Sequence, residues 1–410
     1  MKLKDELPPR RISLARRSGP LRPGSLRQFN ARELLSLLRS QGSCSRAELV
    51  RLSGLSAPTV SKAIKYLQKK QLVENIGLGA SSGGRPPDLW RFTPTYGYVA
   101  GVDIESARLR IALADLDGVI VGRWTVSLRA HRTPEKIVEL IQTGVRELLK
   151  QNGVSRQKLL AVGAGVPGIT DVDAGLVFSA PHLSNWRNVP LRDLLETQLR
   201  VPAVVENDVN VAALGESWRG TAKGISNFVF LALGVGIGAG IFLRGDLYHG
   251  SDWAAGEIGY LLIPGGPLAA ISLDQPGSLE SLIGQESIEL AWRKLCEESG
   301  DDALDPTLNP KQIFDLAQTG NPQARTLLHS TSSLLAEAVS NISVLLNTSL
   351  IVFGGSFGTS IPLFEATRRL VDMNQFARPR IAASTLGEEA QLLGALRLGL
   401  TYVEAKLLTV

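Results

Sequence analysis

The chain has 410 residues, 44% of them apolar, a net charge of +5 and only two cysteines, Cys44 and Cys296, far apart in sequence. That leaves room for two or three domains with a large core, and no basis for a disulfide framework or a cysteine-rich zinc site. The charge is divided: residues 1–93 hold 18 Lys and Arg against 6 Asp and Glu, and the remainder holds 26 against 33, as expected of a nucleic-acid-binding module joined to an acidic regulatory body.

Residues 1–27 hold 8 basic and 2 acidic side chains with Pro8, Pro9, Pro20 and Pro23. They read as a basic disordered tail. They contain no apolar signal core, which points to a cytoplasmic protein. Residues 28–93 then read as a winged helix-turn-helix. Asn30 and Glu33 predict a capped start to a first helix with Leu34, Leu37 and Leu38 inside, ended by Gly42. Ser45 and Glu48 form a second capping box, opening a short helix that Gly54 closes. Ser56 caps a third helix, with Pro58 in its first turn and Val60, Ile64 and Leu67 as its buried stripe.

The opposite face of that third helix carries Thr59, Ser61, Lys62 and Lys65. A short helix, a tight turn and a polar-faced second helix are what places one helix in the DNA major groove. Thr59, Ser61 and Lys62 stand near the helix start, suited to base edges. Lys65, Lys69 and Lys70 are suited to phosphates. Strands at 72–76 and 89–92 would flank a long wing. Its tip, Gly84-Arg85-Pro86, resembles the core of a minor-groove AT-hook, with Arg85 as the inserted side chain.

From Tyr98 the pattern changes. Strands are expected at 99–104, 109–114 and 119–126, with a turn at Asp117-Gly118, then a helix at 134–151. A strand at 159–165, a strand at 203–206 and a helix at 209–218 follow. The charge-free run 225–243 is near membrane-spanning length. The alternating Gly234, Gly236, Gly238 and Gly240 instead predict two strands and a glycine turn, and no membrane helix. A second cycle ends in long helices, a buried strand at 350–353 and a C-terminal helix at about 388–406. Two βββαβα-like cycles imply a two-lobed α/β domain over 94–410 with a cleft between the lobes.

The chain resembles the ROK family of sugar kinases and transcriptional repressors from about Gln28 to its C-terminus. The resemblance rests on Gly165-Val166-Pro167-Gly168, Ala180-Pro181-His182-Leu183, Glu206-Asn207-Asp208-Val209-Asn210, the glycines from Gly234 to Gly240, Gly256-Glu257-Ile258-Gly259 and Gly354-Gly355. It implies an actin/hexokinase-like fold. It also implies that Asn207 and Asp208 hold sugar hydroxyls, with Asp208 at the kinase general-base position, and that Glu257 and Glu280 grip the same sugar. A carboxylate beside an amide can hydrogen-bond adjacent hydroxyls in a fixed orientation.

Three departures from the family pattern matter. The kinases' glycine-rich phosphate loop is here Asp103-Ile104-Glu105-Ser106-Ala107. It lacks the glycines that admit phosphate to backbone N–H groups, and Glu105 adds like charge. Val235 also replaces a hydroxyl residue in the second phosphate hairpin. The family's zinc-binding His is Tyr260, and 268–282 holds no cysteine, so no metal is expected and Tyr260 is left to meet a ligand through its hydroxyl. His182 stands where the family often has Asn, either keeping a ligand hydrogen bond or altering which sugar fits.

The expectation is a regulator, not an enzyme. It would be a repressor of carbohydrate genes that binds double-stranded operator DNA as a homodimer or homotetramer and responds to a monosaccharide, without a cofactor or a membrane. Two alternatives stay open: an active sugar kinase with a DNA-binding head, and a regulator answering a non-sugar ligand or a protein partner.

Overall fold

The computed structural model describes residues 23–79, 86–128, 132–180, 183–263, 275–301, 303–376 and 378–407, and for 23–27 the backbone alone. The chain divides after Thr93 into two compact units. Arg85 and His182 lie outside the described residues, as do 1–22 and 264–274.

The front unit contains α1 (Pro23–Gln41), β1 (Ser43–Ser45), α2 (Arg46–Ser53), α3 (Ala57–Lys69), β2 (Val73–Leu78) and β3 (Asp88–Phe92). Helix α1 begins at Pro23 rather than Asn30, so the end of the stretch read as a disordered tail is helical. Proline is tolerated at a first helical position, where its missing N–H has no partner to lose. The capping box of α2 is present: Ser45 Oγ accepts from Glu48 N, and Ser45 N donates to Glu48 Oε2 at 2.8 Å. Gly54 ends that helix at φ +67°. Strand β1 is not among the elements expected from sequence. It pairs antiparallel with β3, which also pairs with β2. Trp90 and Phe92 point inward from β3, with the guanidinium groups of Arg46 and Arg39 each 5.1 Å from their ring centres.

The back unit repeats one plan. Its first lobe has β4 (Tyr98–Ile104), β5 (Arg108–Asp115), β6 (Ile120–Ser127), α4 (Pro134–Gln151) and β7 (Leu159–Val166). There follow β8 (Ile169–Asp171), β9 (Leu176–Ser179), β10 (Arg187–Val189), α5 (Leu191–Leu199), β11 (Ala203–Asn207) and α6 (Asp208–Arg219). The second lobe has β12 (Phe228–Leu233), β13 (Ile237–Leu243), β14 (Asp246–Leu247), α7 (Glu280–Ile283), α8 (Gln285–Ser299) and α9 (Pro310–Gln318). It ends with α10 (Pro322–Leu346), β15 (Leu350–Gly354), α11 (Ile361–Asp372), β16 (Arg380–Ala383) and α12 (Glu389–Lys406). The sheet orders are β11-β7-β4-β5-β6 and β14-β13-β12-β15-β16. In each lobe an antiparallel meander is continued by two parallel strands.

The two expected cycles are therefore present, and the 225–243 run forms the β12–β13 hairpin. No helix among the described residues is long and apolar enough to cross a membrane. The small sheet β8–β10 lies outside the expected pattern; its strands are only three or four residues long.

The lobes exchange helices. Helices α4 and α5 cover one face of the first sheet, and α8 to α11 cover one face of the second. The remaining faces are crossed over: α6, which follows first-lobe β11, packs Ala212 and Ala213 on Phe228 and Phe230 of the second sheet. Helix α12, which follows second-lobe β16, packs Leu392 and Leu396 on Ala112 and Ala114 of the first. The two helices meet where Gly394 faces α6; a Cβ there would stand 1.6 Å from Val211 O, so only glycine permits the approach.

Candidate DNA-reading face and ligand cleft

Helix α3 buries Val60, Ala63, Ile64 and Leu67. That leaves Lys62, Lys65, Gln68, Lys69 and Lys70 exposed, with Thr59 and Ser61 half-buried. The expected polar face is thus continuous along the helix. Thr59 also serves the helix start, because its Oγ1 lies 2.8 Å from Oγ of the cap residue Ser56. Its backbone N–H donates to the same hydroxyl. Of the three residues suited to base edges, Thr59 is thus the one tied to the cap.

In the back unit the turn from β11 into α6 carries the Glu-Asn-Asp motif. Asn207 is the N-cap of α6: its Oδ1 accepts from Val209 N at 2.9 Å and Asn210 N at 3.0 Å. Its Nδ2 donates to Gly168 O and to Asp208 Oδ1, both at 3.1 Å. An amide has two donors and two acceptor sites, so the capacity of Asn207 is used within the protein. Its effect is to fix Asp208. Asp208 Oδ1 also accepts from Val209 N at 2.9 Å, so these bonds gather on one oxygen of the carboxylate. Burial pushes the Asp208 carboxyl up to about 6 against the backbone hydrogen bonds that lower it, and the charge of Glu105 adds to the rise.

Glu257 faces the same space from the second lobe. Burial, then the charges of Asp208 and Glu280, raise it to about 7. Gly256, at φ +93°, brings it there: a Cβ would stand 1.9 Å from Ala239 O of β13, and its own carbonyl accepts from Ala239 N at 2.8 Å. Glu280 opens α7 and accepts from Ile237 N at 2.9 Å, which binds it to the β12–β13 hairpin. Val235 is partly exposed at the hairpin tip. Tyr260 donates to Gln275 O at 3.3 Å. Of the six expected ligand residues, the structure brings Asp208, Glu257 and Glu280 into one electrostatic group. It places Asn207 behind Asp208 and Tyr260 against a backbone carbonyl; His182 is outside the described residues.

Two arginines absent from the sequence-based site fill the first-lobe phosphate loop. Arg110 Nε donates to Asp103 Oδ2 at 2.9 Å, and Arg110 Nη2 lies 2.9 Å from Glu105 Oε1. Arg108 bonds Glu105 Oε2 and Glu388 Oε2, both at 2.8 Å. The expectation that Glu105 leaves bare negative charge in the loop is therefore corrected: two guanidinium groups neutralise it. A signal for this exists in the strand pattern, since Asp103 and Arg110 are direct cross-strand partners.

The residues present do not fit the family's zinc. The Tyr260 hydroxyl is engaged by the Gln275 carbonyl, Cys44 is buried in the front unit, and Cys296 is buried in α8.

Residues 30–74 match a winged helix-turn-helix DNA-binding model. The chain is 27% identical over 381 residues to the xylose repressor of Caldicellulosiruptor bescii, covering 90% of this chain and 95% of that one. It is 30% identical over 311 residues to a glucokinase of Halalkalibacterium halodurans, covering 72% and 93%. Its fold is similar to that of a ROK family transcriptional regulator described as a homologue of the E. coli MLC protein, at TM-score 0.77 and 21% identity over 93% of this chain and 98% of that one. Residues 99–401, the two lobes with their exchanged helices, match the ROK model, and the chain belongs to the ROK family.

Proposed function

We propose that the chain is a transcriptional repressor of carbohydrate genes whose operator affinity is set by a monosaccharide held between the lobes of its ROK unit, without phosphorylation. One observation carries the reading: the ligand-side carboxylates Asp208, Glu257 and Glu280 remain grouped, while the phosphate loop is filled by Arg110 and Arg108. A cleft that keeps its sugar groups and loses its phosphate groups is a sensor. The exposed lysines of α3, the match to a DNA-binding model and the relatives named as xylose repressors support the DNA end of the reading.

Two protomers would each present α3 to one half-site of a pseudo-palindrome, as a homodimer or within a homotetramer in the cytoplasm. Sugar changes operator affinity only by binding one lobe arrangement better than the other. In that site Asp208, Glu257 and Glu280 accept hydrogen bonds from hydroxyls, Asn207 positions Asp208, and Tyr260 and His182 line the edge. Arg85 would add a minor-groove contact from the wing.

Fluorescence anisotropy of DNA from the gene's own upstream region, titrated with protein in the presence and absence of D-xylose, D-glucose and amino sugars, tests this. A shift in the curve with one sugar supports the reading; binding that no sugar shifts removes the sugar from it. The kinase alternative is tested in parallel. Turnover of Mg-ATP with any of these sugars, abolished in Asp208→Asn, would overturn the absence of catalysis.

A further inference from the structure

We propose that His249 is a positioning residue through which the second lobe holds the Asn207–Asp208 turn of the first, and that with Trp253 it forms a clasp across the cleft. His249 follows β14 in the second lobe. Its Nε2 lies 2.7 Å from Oε2 of Glu206, which sits on β11 in the first lobe. The Glu206 side chain is 4% exposed. Its other oxygen, Oε1, accepts from Asn207 N and Asn210 Nδ2, both at 2.9 Å. One buried carboxylate is thus shared between the imidazole of one lobe and the Asp208-bearing turn of the other. Removing the imidazole leaves a buried oxygen without its donor, which the turn must answer by shifting or admitting water.

Four residues on, Trp253 repeats the bridge. Its ring centre is 6.1 Å from that of Phe178 on β9, at 45°. The Trp253 backbone is at φ +56°, a left-handed conformation that a bulky side chain rarely takes. Such strain persists where the surroundings over-determine it. Here the loop is closed by Ala255 N donating to His249 O at 3.1 Å, and the ring is held by Phe178. The segment 249–253 is covalently part of the second lobe, attached to the first at two points, and runs directly into Gly256–Glu257. It therefore sets where Glu257 stands relative to Asp208.

The clasp is sensitive to protons. The hydrogen bond to Glu206 raises the His249 pKa above its ordinary value. Burial opposes the rise, and the charges of Glu206, Asp246 and Asp173 reinforce it. A folded-state value that is raised gives a contact fully present in acid and lost as pH rises through it.

The test uses the full chain without DNA or sugar, so it stands apart from the sugar reading. Nitroxides at Lys150 on α4 and Lys294 on α8, both exposed, report the lobe separation by double electron–electron resonance. Wild type should give one narrow distance at about pH 6 and a broadened distribution at about pH 9. His249→Ala should be broad at both values. His249→Lys, positively charged throughout, should restore the narrow distance at both. The same narrow distance in wild type at both pH values and in His249→Ala overturns the proposal, and the wild-type arm needs no variant to fold.

Discussion

Arg110 stands directly opposite Asp103 in the β4–β5 register and closes over its carboxylate, Nε to Oδ2 at 2.9 Å, with Asp103 wholly buried. Burial pushes the Asp103 carboxyl up to about 7 while the Arg110 charge pulls it down. Arg110 Nη2 also donates to the Glu388 carbonyl at 2.7 Å, just ahead of α12. A cation built into the chain thus occupies the loop and ties it to the exchanged helix.

Arg110→Met should be severely destabilising. It leaves Asp103 buried and uncompensated, an effect of roughly 3–5 kcal/mol. Asp103→Leu combined with Arg110→Met removes both charges and should recover most of the loss. Urea unfolding of the single and double variants measures both. A single variant within about 1 kcal/mol of wild type would show that the pair does not organise the loop.

Asp208 and Glu257 should trade stability for binding. Both folded-state pKa values are raised, to about 6 and about 7. The stability these groups contribute is complete below the unfolded carboxylate range and is lost as pH rises through those values. Asp208→Asn and Glu257→Gln should therefore be more stable than wild type at pH 8, each by roughly 1–2 kcal/mol, and equal to it near pH 4. Melts at the two pH values check the sign. The same variants should lose any sugar-induced shift in DNA binding.

On the α3 face, Lys69→Ala and Ser61→Ala should separate. Losing a phosphate contact weakens binding alike on all sequences and lowers the salt slope by about 1. Losing a base-edge contact reduces discrimination between operator and random DNA with little change in slope. Anisotropy titrations at several salt concentrations on both DNAs distinguish the two. Equal behaviour of the two variants would remove the division of labour along the helix.

Ser45→Ala should destabilise the front unit by about 1 kcal/mol, the usual effect of losing an N-cap. The Ser45 N–H and hydroxyl hold the Glu48 carboxyl below its ordinary range. A lowered folded-state value means that this contribution is present above the unfolded value and lost as pH falls through the folded one. Thermal melts of wild type and variant should accordingly converge in acid.

Much of this architecture is legible in the sequence because local rules and the global fold agree. The Ser45–Glu48 box, the α3 stripe and the glycine hairpin at 234–240 each depend on neighbours within a few residues. Strand β1 escapes such reading because three residues carry no period. The start of α1 escapes it because Asn30 and Glu33 imitate a cap inside a helix that continues back to Pro23. In the cleft, family resemblance points to Asp208, Glu257 and Glu280. It does not show that Asn207 is used up by capping α6 and fixing Asp208. Nor does it show that His249, some forty residues after Glu206, shares that carboxylate. Such contacts join elements distant in sequence and leave no spacing to read.

The exchange of α6 and α12 bears on synthesis as well as shape. The sheet of the first lobe is complete once β11 has emerged, yet one of its faces is covered only by α12, made after every strand of the second lobe. A nascent first lobe must wait with Ala112 and Ala114 uncovered, the condition in which partly made chains aggregate or recruit chaperones. The two lobes should then fold and unfold as one step, with no intermediate in which only the earlier-made lobe is native.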